Sequence, residues 1–120
     1  MATREGHGVV DEGFVNHVTL CGRVSHVGEE RELPSGDLVH SWRLVVPRSA
    51  SPRAGAGVKG RSQPDVIDVS CWTAATRRSV SRLVEGDLVQ VEGALRRRFF
   101  RGASGVASRY EVEALLVRRA

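Results

Sequence analysis

The sequence predicts an all-β domain: five strands closed into a small barrel, with one short helix between the third and fourth strands. Apolar and polar residues alternate in five separate runs, the period-2 signature of strands with one buried face. One stretch, "TAATRRSVSRLVEGD" (73–87), changes to a helical period instead. Its 120 residues suit a single domain, and a chain of that size buries roughly two-thirds of the surface it exposes when unfolded.

Residues 1–12 read as a loose N-terminal arm, and the domain occupies 13–120. In "FVNHVTLCGRV" (14–24), Val18, Leu20 and Val24 share one parity, while His17, Thr19, Cys21 and Arg23 take the other. Gly22 suggests a bend or bulge there. "LPSGD" (33–37) is a turn. "LVHSWRLVV" (38–46) puts Leu38, His40, Trp42, Leu44 and Val46 on one face, which makes Trp42 core and His40 a packed strand residue. Pro47 ends that strand. A long loop follows over 47–64, rich in Gly, Ala, Ser and Pro, carrying Arg48, Arg53, Lys59 and Arg61 with no acid. Loops of such length in small domains are usually functional or disordered.

"DVIDVSCW" (65–72) turns Ile67, Val69 and Cys71 inward and Ser70 and Trp72 outward. In the helix, Ala75, Ser79 or Val80, Leu83 and Val84 form the apolar face, with Thr73 as its cap and Gly86 at its end. "DLVQVEGALRRRFF" (87–100) turns Val89, Val91, Gly93 and Leu95 inward, and Arg96, Arg98 and Phe100 outward. Arg97 and Phe99 take the inward parity near the fraying end of the strand. "RGASGVA" (101–107) is a flexible hairpin loop and "SRYEVEALLVRR" (108–119) the last strand, with Glu111 and Glu113 able to pair with Arg96 or Arg98. Three strands, a helix and two strands is the order of an OB-type barrel.

Composition narrows the function classes. Net charge is +4, and every basic residue except Lys59 is arginine. Arginine forks onto phosphate and stacks on rings as lysine does not. Cys21 and Cys71 lack metal-ligand spacing and read as reduced, buried thiols of a cytosolic protein. No apolar run reaches the roughly 20 residues of a membrane span, and the charged N-terminus is no signal peptide. The four histidines, His7, His17, His26 and His40, have no metal-ligand spacing, no glycine-rich phosphate motif is present, and Cys71 has no neighbouring base in sequence. We expect no catalytic residues, no metal and no cofactor.

"LRRRFFRG" (95–102) sets arginines against aromatic rings. Single-stranded nucleic acid uses both, since bases stack on exposed rings and guanidinium groups hold phosphates. Structural alternatives stay open: Trp72 tucked under the helix or in a subunit contact, Phe100 packed at a hairpin stem, and the arginines protecting a sheet edge.

These segments together resemble the bacterial single-stranded DNA-binding proteins over about residues 14–118. "NHVTLCGRVS" is similar to that family's opening strand, "LPSGDLVHSWRLVV" to its turn and second strand, "VEGDLVQVEGALRRR" to its fourth strand, and "RYEVEALLV" to its closing strand. The resemblance implies an OB barrel, a homo-oligomer that is a tetramer rather than a dimer, sequence-independent single-stranded DNA binding in replication, recombination and repair, and a cytoplasmic, nucleoid-associated location. By position it makes Trp72 and Phe100 stacking rings, Arg96 and Arg98 phosphate contacts, and His17 the counterpart of a common lysine. The expected binding set is completed by Arg101, Arg23 and the loop cations Arg48, Arg53, Lys59 and Arg61. Val66 stands where a tryptophan is usual, Asp68 replaces a frequent arginine, and the 48–61 loop holds no aromatic. No acidic-tipped tail follows Ala120, which leaves a shortened paralogue, a tail-less form or a cut piece open. The alternative function is a primosome-type accessory protein of the same fold, acting mainly through contacts with a replication helicase. Replication or recombination proteins are possible further partners.

Overall fold

The structure is a computed structural model and describes residues 13–48 and 63–120. Its elements are β1 (Val18–Glu32), β2 (Leu38–Val46), β3 (Asp65–Cys71), α1 (Ala74–Ser81), β4 (Leu88–Gly102) and β5 (Gly105–Arg119). The five strands close into a barrel in the order β1-β2-β3-β5-β4. Neighbours are antiparallel except β3 and β5, whose parallel contact pairs Val69 with Val112 and Ser70 with Glu113.

β1 closes the barrel because it serves two neighbours. Its first part, Val18–Arg23, pairs with β4, and the remainder, from Arg23 to Glu32, pairs with β2. The strand was expected to end near Val24 with its bend at Gly22. It runs on to Glu32 instead, and its register shifts lie between Val24 and His26 and between His26 and Glu29. Gly28 sits in that second irregularity at φ +69°, where a Cβ would come within 1.8 Å of the Ser41 carbonyl oxygen. Glycine alone permits both the backbone angle and the approach.

The inward rows of β2 and β3 meet those of β4 and β5. Trp42, Leu44, Val69, Cys71, Val89 and Val91 form the centre with Val24, Val112, Ala114 and Val117. Each large apolar side chain buried this way contributes about 1.5–3 kcal/mol. Trp42 is 1% exposed, as its parity required, and its indole Nε1 donates to the Cys71 sulfur at 3.3 Å. Burial pushes the Cys71 thiol up. His40 is packed as expected, donating from Nε2 to the Val27 carbonyl at 2.8 Å. Cys21 is exposed, against expectation. The β1 alternation that buries Gly22 and Val24 turns Cys21 outward.

α1 caps one end of the barrel. The Thr73 side-chain oxygen accepts from the Thr76 backbone N–H at 3.1 Å, the expected cap. The buried stripe is Thr76, Val80 and Leu83, an i, i+4, i+7 set. Ala75 and Val84, expected in that stripe, lie on the exposed side. The helix ends at Arg82 rather than Gly86. Gly86 turns the chain into β4, with φ +94° and its N–H on the Val24 carbonyl at 2.8 Å. Asp87 fixes this corner by accepting from the Val84 N–H at 2.9 Å and from Arg119 at 3.2 Å. The Val84 N–H, and then Arg119, hold its carboxyl below the usual 3.8. Its contribution to stability is therefore present above that pH and fades as the pH falls below it.

A Cβ on Gly93 would meet the Glu113 carbonyl oxygen at 2.1 Å. Gly93→Ala should cost at least about 1–3 kcal/mol, read as a lower urea midpoint with an unchanged slope. A thiol reagent should modify Cys21 in the folded protein and reach Cys71 only after denaturation.

Candidate nucleic-acid interface

β4 and β5 pair from Val89–Arg119 at one end to Gly102–Gly105 at the other, around the turn Ala103–Ser104. The barrel is shorter than this hairpin. β1 pairs with β4 no further along than Gly93, and β3 pairs with β5 only at Val112 and Glu113. Beyond Leu95 and Val112 the two strands project as a ribbon, and residues 99–110 are all exposed. The segment expected to be a flexible loop over 101–107 is instead mostly strand, since pairing continues to Gly102 and Gly105. Leu95, expected to be buried, is 45% exposed. Its parity is inward, but the barrel lining ends there. Asn16 marks the root of the ribbon: its side-chain amide donates to the Leu95 carbonyl and accepts from the Leu95 N–H, each at 2.9 Å.

On the outward face of the ribbon, Arg96 and Arg98 lie beside Glu111 and Glu113. Arg96 Nε donates to Glu113 Oε1 at 3.1 Å, and Arg98 bonds Glu111 at 3.0 Å and Glu113 at 3.1 Å. The Arg98 guanidinium also stands 5.3 Å over the Trp72 ring. Arg109, opposite Arg98 in register, stands 5.2 Å over the Phe100 ring and 4.0 Å from Asp68, which also holds Arg43 at 3.2 Å. One groove of about 570 Å³ is lined by Asp37, Leu38, Trp72, Arg77, Arg98 and Glu113 among others, and a second of about 350 Å³ by His26, Ser41, Arg43, Asp68, Arg109 and Glu111 among others.

The structure thus brings together Trp72, Arg96, Arg98 and Phe100. Trp72 is half-buried rather than fully outward: Arg98 covers one face, its Nε1 is buried without a partner, and Arg77 bonds its carbonyl. Ser70, expected outward beside it, is 1% exposed because β5 closes over it at Glu113. Arg101 is exposed near the ribbon tip, with the parity of Arg97 and Phe99 rather than that of Arg98.

The other expected residues lie apart. Arg48 pairs with Asp65 at 3.0 Å, where β3 begins. Arg23 donates to the Gly86 carbonyl at 3.0 Å, near the start of β4 and remote from the ribbon. His17 is the exception: between Asn16, bonded to Leu95, and Val18, paired with Gly93, it lies beside the ribbon root, with Nε2 3.2 Å from the Thr19 hydroxyl. Arg53, Lys59 and Arg61 fall outside the described residues. Arg109, over Phe100, and Arg43, sharing Asp68 with it, were not among the residues expected from the sequence. Counting back equally from Gly102 and Gly105 sets Arg109 opposite Arg98, a signal that was available; Arg43 needs the register of β2 on β3. Among the described residues, no group of three or more His, Cys, Asp or Glu is placed to hold a metal ion. Among the described residues, no helix is long and apolar enough to cross a membrane.

A five-stranded closed barrel with one helix between β3 and β4 is an OB fold, here with an overlong β4–β5 ribbon carrying arginines and rings. The comparisons agree. Residues 15–119 match the Single-strand binding protein family, and the chain belongs to that family. A single-stranded DNA-binding protein of Bacillus cereus is 30% identical over 92 residues, 77% of this chain and 51% of that protein. One of Oceanobacillus iheyensis is 26% identical over 92 residues, 77% of this chain and 54% of its own length. The chain spans about half the length of the curated relatives it matches. A solved structure described as a Plasmodium falciparum SSB complex with ssDNA superposes with a TM-score of 0.70 at 21% identity, covering 87% of this chain and 89% of that one, and so shares the fold.

The half-buried Trp72 and the sealed Trp42 should separate by quenching. Iodide should reach only the first, and Trp72→Phe should abolish the quenchable fraction of the tryptophan emission.

Proposed function

We propose that this chain is a non-enzymatic, sequence-independent binder of single-stranded DNA that serves replication, recombination and repair. Its outward ribbon face supplies the chemistry. Bases stack on Phe100 and on the open side of Trp72, while Arg96, Arg98 and Arg109 take phosphates. The observation that carries this reading is the placement of each ring under a guanidinium, Trp72 under Arg98 and Phe100 under Arg109, on one face outside the core. The names of the similar bacterial proteins support the same substrate.

The arginines of this face are not idle in the free protein. Glu111, Glu113 and Asp68 hold them, so binding is an exchange in which phosphate replaces carboxylate. Pairs as exposed as Arg109–Asp68 contribute only about 0–1 kcal/mol each, so those exchanges are cheap; Arg98, held by the more buried Glu111 and Glu113, is the costlier one to release. Arg48 and Arg101, the loop cations Arg53, Lys59 and Arg61, and His17 beside the ribbon root extend the positive surface in this reading; Arg23, paired with Leu88 at the opposite end of β4, lies apart from it. We also assign the chain a homo-oligomeric state, a tetramer before a dimer, and a nucleoid-associated location. Exposed Leu115 and Leu116 on β5, with Phe14 and Val15 ahead of β1, support such an assembly.

Titration with oligo-dT and duplex DNA across a salt series tests this function. Single strands should bind and duplex should not compete, with log K falling by about 0.7 per neutralised phosphate against log salt. Phe100→Ala should weaken binding by about 1–3 kcal/mol. Glu113→Gln should release Arg96 and one of the two carboxylates that hold Arg98, tighten binding and steepen the salt slope. Equal affinity for duplex, or no binding of either, would remove the proposal.

A further inference from the structure

At the end of β4 remote from the ribbon, β1, α1 and β5 meet in a corner built on residues 82–88. Three backbone bonds tie it together: the Gly86 N–H donates to the Val24 carbonyl at 2.8 Å, the Val24 N–H to the Asp87 carbonyl at 2.9 Å and the Ala120 N–H to the Leu88 carbonyl at 2.9 Å. Arginines from three elements converge there. Arg23 of β1 donates to the Gly86 carbonyl at 3.0 Å and stands opposite Leu88 in register. Arg119 of β5 donates to the Arg82 carbonyl at 2.7 Å and to Asp87 at 3.2 Å. Arg78 lies one helical turn before Arg82, a spacing that makes side chains neighbours. Arg23, Arg78 and Arg82 are exposed, and among the described residues no carboxylate pairs with any of them. Asp87 pairs with Arg119 only, and Glu85, exposed in the same turn, pairs with none of the four. Val84 and Leu88 complete the surface, 59% and 40% exposed.

We infer that this corner docks an acidic segment of a partner protein, with its carboxylates on Arg23, Arg78 and Arg82 and an aliphatic side chain on Val84 and Leu88. The fold gives these arginines little to do. A helix C-terminus favours a nearby cation, but two cations four residues apart repel each other, and Arg23 belongs to a strand. A guanidinium forks onto a carboxylate through two parallel N–H bonds; three here lack one, whereas Arg96, Arg98 and Arg109 on the ribbon are held by Glu111, Glu113 and Asp68. Nucleic acid is the poorer occupant. Residues 78–88 include no aromatic ring on which a base could stack, and Glu85 and Asp87 among the arginines oppose an unbroken run of phosphates. A peptide can set carboxylates against the arginines and a neutral or basic residue beside Glu85. A two-fold contact between copies sets the same patch against itself, with arginines outnumbering acids on both sides. The corner and the ribbon occupy opposite ends of β4, so both can be filled at once, and this inference does not depend on what the ribbon binds.

Fluorescence anisotropy on the full chain tests the site, with a labelled peptide of the repeat Glu-Glu-Leu beside one of the repeat Glu-Glu-Ser. The leucine peptide should bind, and the serine peptide at least about fivefold more weakly. Arg23→Ser/Arg82→Ser should weaken binding of the leucine peptide at least about tenfold, and Leu88→Ser should remove its advantage over the serine peptide. Arg82 serves the fold through its carbonyl, so Arg82→Ser alone keeps the corner and should weaken binding in the same direction. Added oligo-dT should leave the peptide in place, and the variants should keep the solution mass of the unaltered protein. No binding of the leucine peptide, equal binding of the two peptides, or unchanged affinity in the arginine variants would overturn the inference. Displacement of the peptide by oligo-dT would assign the corner to nucleic acid, and a fall in mass would assign it to a contact between copies; each overturns it equally. Failure of the unaltered protein to bind oligo-dT would defeat the proposed function and leave this inference standing.

Discussion

The structure turns on an inequality of length. β4 and β5 are paired to Gly102 and Gly105, while the strands that complete the barrel release them near Leu95 and Val112. Everything between those limits is sheet without a second layer. A strand inside a barrel has one face for the core and one for water; a strand beyond it has two for water. The alternation that buries Val89 and Val91 therefore keeps running after burial has stopped. It delivers Phe99 to solvent by the same rule that hides Val91. Exposed rings here come from a periodic strand continued past its lid, with no local break in pattern.

Charge placement answers a problem that the pairing creates. Register sets Arg98 opposite Arg109, and like charges directly across a sheet repel. Glu111 and Glu113 draw Arg98 to one side, and Asp68 draws Arg109 toward β3 and Arg43. The carboxylates thus separate the cations and lay each over a different ring. Because these groups are partly solvated, the pairs position the guanidiniums without locking them. A deeper set would have been expensive to part from its partners.

Much of this was legible in the sequence. The parity of β2 marked Trp42 as core, Thr73 announced the helix, and the outward row of Arg96, Arg98 and Phe100 emerged as read. What failed did so for identifiable reasons. The second half of β1, "SHVGEERE", has no apolar alternation, and it is a strand because β2 lies alongside it. Ser70 is polar on an outward parity and buried all the same, since the barrel closes over it. Leu95 had the right parity, but whether its site is covered depends on where β1 stops. The Arg43–Asp68–Arg109 chain spans three strands far apart in sequence, and no short-range pattern encodes it. Local pattern determined direction, and tertiary closure determined cover.

A pair of strands without further neighbours coils more strongly than a broad sheet, and the coil is right-handed along each strand. The arginine and ring rows that ride on β4 and β5 are therefore not straight tracks but gentle spirals about the hairpin axis. A flexible chain laid along such a spiral would be turned sideways as it advances, so a protrusion of this shape would set a heading as well as a grip.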